Sequence, residues 1–197
     1  MKTSSAPATL KPILFNTEMV RAILAGEKTC TRRIAKSEKP PFVVGDILYV
    51  RETWCINTFG THYRADWPNG ACPEMDCDDQ WHPSIHMGKD IARIFLRVKS
   101  VERGPLRGME VADFQKEGVK PQNRLGGCKC AWAQEGCMER PCENRDAYEW
   151  WRYMTSFRKL WDSTLPAASV RTLGWKANPD VWVIEFERTE RPESVKD

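Results

Sequence analysis

The chain has no apolar run near the roughly 20 residues that a membrane-spanning helix requires. Met1 to Ala8 are Ser- and Ala-bearing but lack the apolar core of a secretory signal. These two absences lead to the expectation of a cytoplasmic protein with no membrane partner. Charge of one sign is also missing: 30 Lys and Arg offset 27 Asp and Glu, for a formal net charge of +3. So even a balance gives no global pull toward a polyanion, and any such binding must come from a local patch. There is no internal repeat and no low-complexity tract. Histidine is scarce, with His62, His82 and His86 all in one stretch.

Cysteine and tryptophan are plentiful. Nine Trp in 197 residues are expected mostly in the core, where an indole buries a large apolar area and asks for one acceptor. Trp54 is the candidate for a different task, a wall on which a base stacks. With no export signal, the eight Cys are read as metal ligands before disulfides. Cys128, Cys130, Cys137 and Cys142 fall within 15 residues. Four such thiolates can enclose a structural Zn²⁺ and staple a segment that has little apolar content of its own. The Cys-x-Cys pair among them departs from the usual Cys-x-x-Cys. Cys72 and Cys77 with His82 and His86 form a second candidate set, with an ordinary polar loop as the plain alternative. Cys30, between Thr29 and Thr31 and with no histidine beside it, is expected to be a small buried strand residue.

The densest chemistry lies between Ile13 and Arg33. An apolar strand start leads into a short amphipathic helix carrying Met19, Val20, Ile23 and Leu24, which Gly26 stops. Lys28, Thr29, Thr31, Arg32 and Arg33 follow on a turn or strand edge. Cationic and hydroxyl groups held this way suit recognition of an anion or a nucleotide. Lys36, Arg51 and Arg64 extend the patch, and a solvated surface is the plain alternative.

The remaining pattern is α+β within one domain, long enough for a real core. Residues 1–11 read as a leader, 12–190 as the domain and 191–197 as a tail. Strands are expected at Ile13–Phe15, Ile47–Trp54, near His62–Ala65, at Ile91–Val101 and at Val181–Glu187. Helices are expected over Thr17–Leu24, with Thr17 as N-cap, within 106–118 with Val111 and Phe114 turned inward, and over Asp146–Thr164. A Cys-rich insertion occupies about 120–145. Gly45-Asp46 and Ala177-Asn-Pro-Asp180 are the turns.

The run Gly26-Glu-Lys-Thr-Cys-Thr-Arg32, followed by Val44-Gly-Asp-Ile-Leu-Tyr-Val-Arg-Glu-Thr-Trp54, resembles the ASCH family of PUA-like domains. Ile91–Val98, Val181–Phe186 and Ala112-Asp-Phe-Gln-Lys-Glu-Gly118 fit the same order, so the resemblance spans about residues 12 to 188, closest to the larger prophage-type members. It implies a PUA-like β-barrel of mixed strands with peripheral helices, no organic cofactor, and RNA or a modified nucleoside as partner. Arg32, Arg33, Arg51, Glu52 and Trp54 are then the expected binding residues.

Some small bacterial ASCH proteins are amidohydrolases that deacylate N4-acetylcytidine with a lysine, a threonine three residues later and a glutamate. The matching positions here are Lys28, Thr31 and Glu117. A threonine hydroxyl attacks only when a base takes its proton, and a lysine is such a base only when burial lowers its pKa. Glu117 then serves as general acid or base for the leaving amine. Residues i and i+3 of a strand face opposite sides, so Lys28 and Thr31 meet only across a turn or bulge. The plain alternative is a Lys28–Glu117 salt bridge that positions a helix, with Thr31 filling a strand. Other members of the family cleave RNA, but the three histidines here offer no obvious catalytic pair. A binding module, an amidohydrolase and a ribonuclease are the readings that stand.

Overall fold

Alternating apolar positions build most of the sheet. The structure, a computed structural model, describes residues 9–67, 80–122 and 145–193, with the Arg145 side chain excepted. Its elements run β1 (Leu10–Leu14), α1 (Thr17–Leu24), β2 (Cys30–Ile34), β3 (Ile47–Arg51), β4 (Trp54–Asn57), β5 (Gly60–Tyr63), β6 (Phe95–Pro105), α2 (Val111–Lys116), α3 (Arg145–Ser163), α4 (Val170–Leu173) and β7 (Asp180–Thr189). Five strands form one mixed sheet in the order β1-β3-β6-β7-β2, and β4 and β5 form a separate hairpin. The β1–β3 pair is parallel and the other ladders are antiparallel.

The period of two along β7 decides which core each side chain joins. Trp182, Ile184 and Phe186 enter one apolar cluster with Val20 and Ile23 of α1 and with Leu48, Val50, Leu96 and Val98. Val181, one step out of phase, joins the opposite cluster with Phe114 of α2 and Tyr153, Phe157 and Trp161 of α3. The sheet is thus covered on both faces, by α1 on one side and by α2 with α3 on the other. No helix among the described residues is long and apolar enough to cross a membrane.

The expected PUA-like β-barrel does not close among the described residues. Among the described residues no ladder joins β1 to β2, and both are edge strands. Pro12 in β1 has no N–H to donate, and proline within sheets belongs on edges. A side chain spans the gap instead: Arg33 Nη2 donates to the Leu14 carbonyl over 2.6 Å. The Cys-rich insertion, including Cys128, Cys130, Cys137 and Cys142, lies outside the described residues, as do Cys72 and Cys77.

Several boundaries also move, each for a local reason. Asn16, not Thr17, caps α1, its side-chain oxygen accepting from the Met19 amide at 2.9 Å. The strand expected over Ile47–Trp54 divides after Arg51, where the Glu52 amide turns to the Met87 sulfur. The strand expected from Ile91 begins at Phe95, because the Ile91 carbonyl is taken by the Tyr63 hydroxyl at 2.6 Å. It then runs on to Pro105 along β7, with a register shift between Val98 and Ser100.

Asp46 fastens β1 to the turn before β3. Its carboxylate accepts from the Thr9 hydroxyl, from Lys11 Nζ at 2.7 Å and from the Val43 amide at 2.8 Å. Burial alone would raise this carboxyl, but the Lys11, Thr9 and Val43 donors outweigh it and hold the group below the usual carboxylate range. A depressed folded pKa stabilises the fold above the unfolded value, near about 4, and that contribution drains away as pH falls through the folded value. Urea unfolding of wild type and Asp46→Asn should therefore show a stability gap at neutral pH that narrows below about pH 4. A gap constant with pH would overturn this assignment.

Candidate functional site

The segment between α1 and β2 is clamped on both sides. Gly26 leaves α1 at φ 75°, as a helix-ending glycine does. The Thr29 amide donates to the Lys116 carbonyl at 2.8 Å, and the Phe186 amide donates to the Thr29 carbonyl at 2.9 Å. Lys28 forms an isolated antiparallel bridge with Glu117, the residue just past α2. Gly118 makes this approach possible. Its φ is 74°, and a Cβ there would stand 2.8 Å from the Ala22 Cβ and 3.0 Å from the Lys28 Cβ.

The bridge brings three charges together below the surface, with half-buried Asp113 beside them. Lys28 Nζ donates to Glu117 Oε2 at 2.6 Å, to the Glu117 carbonyl at 3.0 Å and to the Cys30 carbonyl at 2.7 Å. Arg32 Nη1 lies 3.2 Å from Glu117 Oε1, and its Nη2 lies 3.5 Å from Asp113. Lys28, Glu117 and Arg32 are 3%, 4% and 7% exposed, so water contributes little to their solvation and each depends on the others. An ammonium has three protons and no lone pair, and here all three protons are committed. Burial pushes the nearby Cys30 thiol up to about 12, seconded by the Glu117 charge, and the side chain is packed in the core as a small strand residue.

This cluster forms the floor of a cavity of about 510 Å³. Lys28, Thr31, Arg32, Arg33 and Glu117 all line it. β2 pairs only with β7, so the cavity wraps its open edge and receives side chains from both faces of the strand. Lys28 precedes β2, in the segment that follows the Gly26 turn, so it is the turn and not a bulge that brings it to the same space as Thr31. Phe15, Asn16 and Thr17 at the start of α1 form one wall; Phe157, Leu160 and Trp161 of α3 form another. Phe15 also lies beneath two cations, 5.6 Å from Lys28 Nζ and 5.2 Å from the Arg33 guanidinium.

Arg51, Glu52 and Trp54 are not among the residues that line this cavity; Thr53, in their midst, is. Glu52 receives Arg93 in a two-pronged pair at 2.9 and 3.0 Å, and Arg93 also holds Asp66 at 2.7 Å. Burial pushes the Glu52 carboxyl up, with Arg93 opposing. Trp54 exchanges backbone hydrogen bonds with His82 and lies against its ring, centroids 4.8 Å apart. Arg51 is half-buried, and its carbonyl accepts from the Phe15 amide at 3.2 Å. No group of three or more His, Cys, Asp or Glu among the described residues could hold a metal ion.

The α3 wall is the part of the site that sequence reasoning missed. A helix over Asp146–Thr164 was expected, but that its Phe157, Leu160 and Trp161 line the cavity depends on the tertiary fold. Asp113 was likewise visible only as one residue of a short helix.

No protein-family model matches the chain, and no curated protein matches it in sequence. Two solved structures are similar to it. One is an ASCH domain from Lactobacillus crispatus JV V101, at 11% identity and a TM-score of 0.41, covering 93% of this chain and 81% of that one. The other is a protein from Enterococcus faecalis V583 assigned to DUF984, at 11% identity and a TM-score of 0.41, covering 95% and 79% of the two chains.

Two stability experiments test the geometry. Gly118→Ala adds steric overlap to a strained φ and should destabilise by about 3 kcal/mol, whereas Gly26→Ala, with open space around its Cβ, should lose only about 1 kcal/mol. Equal losses in denaturant unfolding would refute the close approach at Lys28. Glu117→Gln leaves two buried cations short of their partner and should cost about 3–5 kcal/mol. Lys28→Met, which leaves Glu117 paired with Arg32, should cost measurably less. The reverse order would mean that Glu117 is not the centre of the cluster.

Proposed function

We propose that the cavity recognises a nucleobase, either in RNA or in a modified nucleoside. What carries this reading is one observation: Lys28, Thr31, Arg32 and Glu117 converge on the floor of a 510 Å³ cavity whose walls are Phe15, Leu160 and Trp161. Small-molecule sites have this form and size, a mostly apolar enclosure of about 300–1,000 Å³ with a few fixed polar groups. A base has flat apolar faces and an edge of alternating donors and acceptors. The aromatic and aliphatic walls suit the faces. The Thr31 hydroxyl, the Arg32 guanidinium and the free lone pairs of Glu117 suit the edge.

Deacylation of an N4-acylated cytidine is the second reading. It is favoured by the 2.6 Å contact between Lys28 Nζ and Glu117 Oε2 beside Thr31. In that scheme Lys28 first passes a proton to Glu117, and its freed lone pair takes the Thr31 proton as the oxygen attacks the acyl carbon. The C–N bond breaks, the amine leaves with the proton from Glu117, and water hydrolyses the Thr31 ester. RNA cleavage ranks last, since no histidine is among the residues lining the cavity. A structural Zn²⁺ on Cys128, Cys130, Cys137 and Cys142 stays a proposal resting on spacing alone. Cytoplasmic residence likewise remains part of this reading.

Calorimetry with N4-acetylcytidine, combined with chromatography of the product, separates the readings. Wild type should bind, and Leu160→Trp, which adds bulk to the α3 wall, should bind at least about tenfold more weakly, or about 1.4 kcal/mol. Cytidine released by wild type but not by the near-isosteric Thr31→Val would establish the amidohydrolase. Neither binding nor turnover would overturn both.

A further inference from the structure

The cavity does not stop at Arg33. Leu14 and Arg33 line it and also line a second groove of about 320 Å³, which continues along the open gap between β1 and β2. Arg33 stands at the junction, its guanidinium fixed on the Leu14 carbonyl and over Phe15. The groove takes three cations, Arg33, Lys36 and Lys39, and no carboxylate. Its floor is apolar, with Phe42 and Trp182.

Such a balance of charge is unusual within this chain. The groove beside Thr29 contains Lys99 and Lys116, but Glu187 and Glu185 pair with them at 3.6 and 2.8 Å. Glu38 lies between Lys36 and Lys39 in sequence, yet its carboxylate is held by Arg103 at 2.6 Å. Lys36 and Lys39 are exposed, and no carboxylate among the described residues forms an ion pair with either. Unpaired lysines along an apolar floor are suited to a polyanion that also presents flat apolar surface.

We propose that the ligand is single-stranded RNA and not a free nucleoside: the recognised base enters the cavity, and the adjoining phosphodiester backbone runs along the β1–β2 gap past Arg33, Lys36 and Lys39. This rests on the base-recognition reading above and adds the strand to it. A cationic groove that tracks the backbone is one half of the general form of sequence-tolerant single-strand binding, and here the base is held in the cavity. The phosphate contacts supply salt-dependent affinity that a free nucleoside cannot draw on.

The test compares N4-acetylcytidine with a short oligoribonucleotide carrying that base at its centre, for wild type and for Lys36→Gln/Lys39→Gln. Both lysines are exposed, so the double variant is expected to fold, and circular dichroism checks it. Wild type should bind the oligonucleotide at least about tenfold tighter than the nucleoside near 50 mM salt. The double variant should lose that advantage and keep its nucleoside affinity. Its slope of log affinity against log salt should be shallower by about 1.4, two contacts at about 0.7 each for a single strand. Equal affinity for nucleoside and oligonucleotide overturns the groove and leaves the cavity reading standing, as does an unchanged slope in the variant. Lysine-dependent binding of an oligonucleotide lacking the modified base, with none of the nucleoside, upholds the groove and overturns the cavity reading. Binding of a poly-glutamate peptide but not RNA, or binding of neither nucleoside nor RNA, overturns the proposal.

Discussion

Glu117 is a carboxylate removed from water, and removing an ion from water costs several kcal/mol even after relaxation. It persists because Lys28 satisfies one oxygen and Arg32 the other. Those partners come from different elements. Lys28 lies in the turn after α1, Arg32 lies in β2, and Glu117 ends α2. One ionic contact therefore fixes how the helices above and below the sheet meet its edge. Gly118 then sets how closely they meet, because any side chain there would strike Ala22 and Lys28.

The open edge of β2 is the second constraint. A strand inside a sheet offers each face to a different layer, so neighbours in sequence are kept apart. At an unpaired edge a cavity can reach around the strand, and Thr31, Arg32 and Arg33 all contribute to it. Closing β1 onto β2 would remove that reach. Pro12, with no amide to donate, and Arg33, bonded to the Leu14 carbonyl, keep the two edges associated without joining them in a ladder. The same gap leaves open space along the two edge strands.

Local signals made much of this legible. The apolar period marked α1, Gly26 marked its end, and the alternation Val181 to Phe186 marked the strand that divides the two cores. Lys28, Thr31, Arg32 and Glu117 were picked out through short motifs, and the fold gathers them in one cavity. Strand limits were harder, because they were decided by distant partners: the Tyr63 hydroxyl delays β6, and Met87 helps to end β3. Arg51, Glu52 and Trp54 looked like a single strip of binding residues. Glu52 instead turns to Arg93, whose role no local pattern discloses. The α3 wall was out of reach for a related reason, since amphipathic spacing gives a face but not what it packs against.

The ion pairing within the cluster suits the proposed recognition better than the proposed catalysis. To act as a base Lys28 must first lose a proton, and the nearest carboxylate acceptor is Glu117 Oε2. A proton placed there would take from Arg32 its closer ionic partner, leaving it only Asp113 at 3.5 Å. The transfer therefore disturbs two buried cations to free one lone pair, and nothing in the resting arrangement repays it. A ligand that brings an acceptor of its own to Arg32, a carbonyl or a phosphate oxygen, changes that balance by giving the guanidinium a new partner as Glu117 is neutralised. Base recognition needs only the cluster as it stands, whereas deacylation needs a ligand that rearranges it.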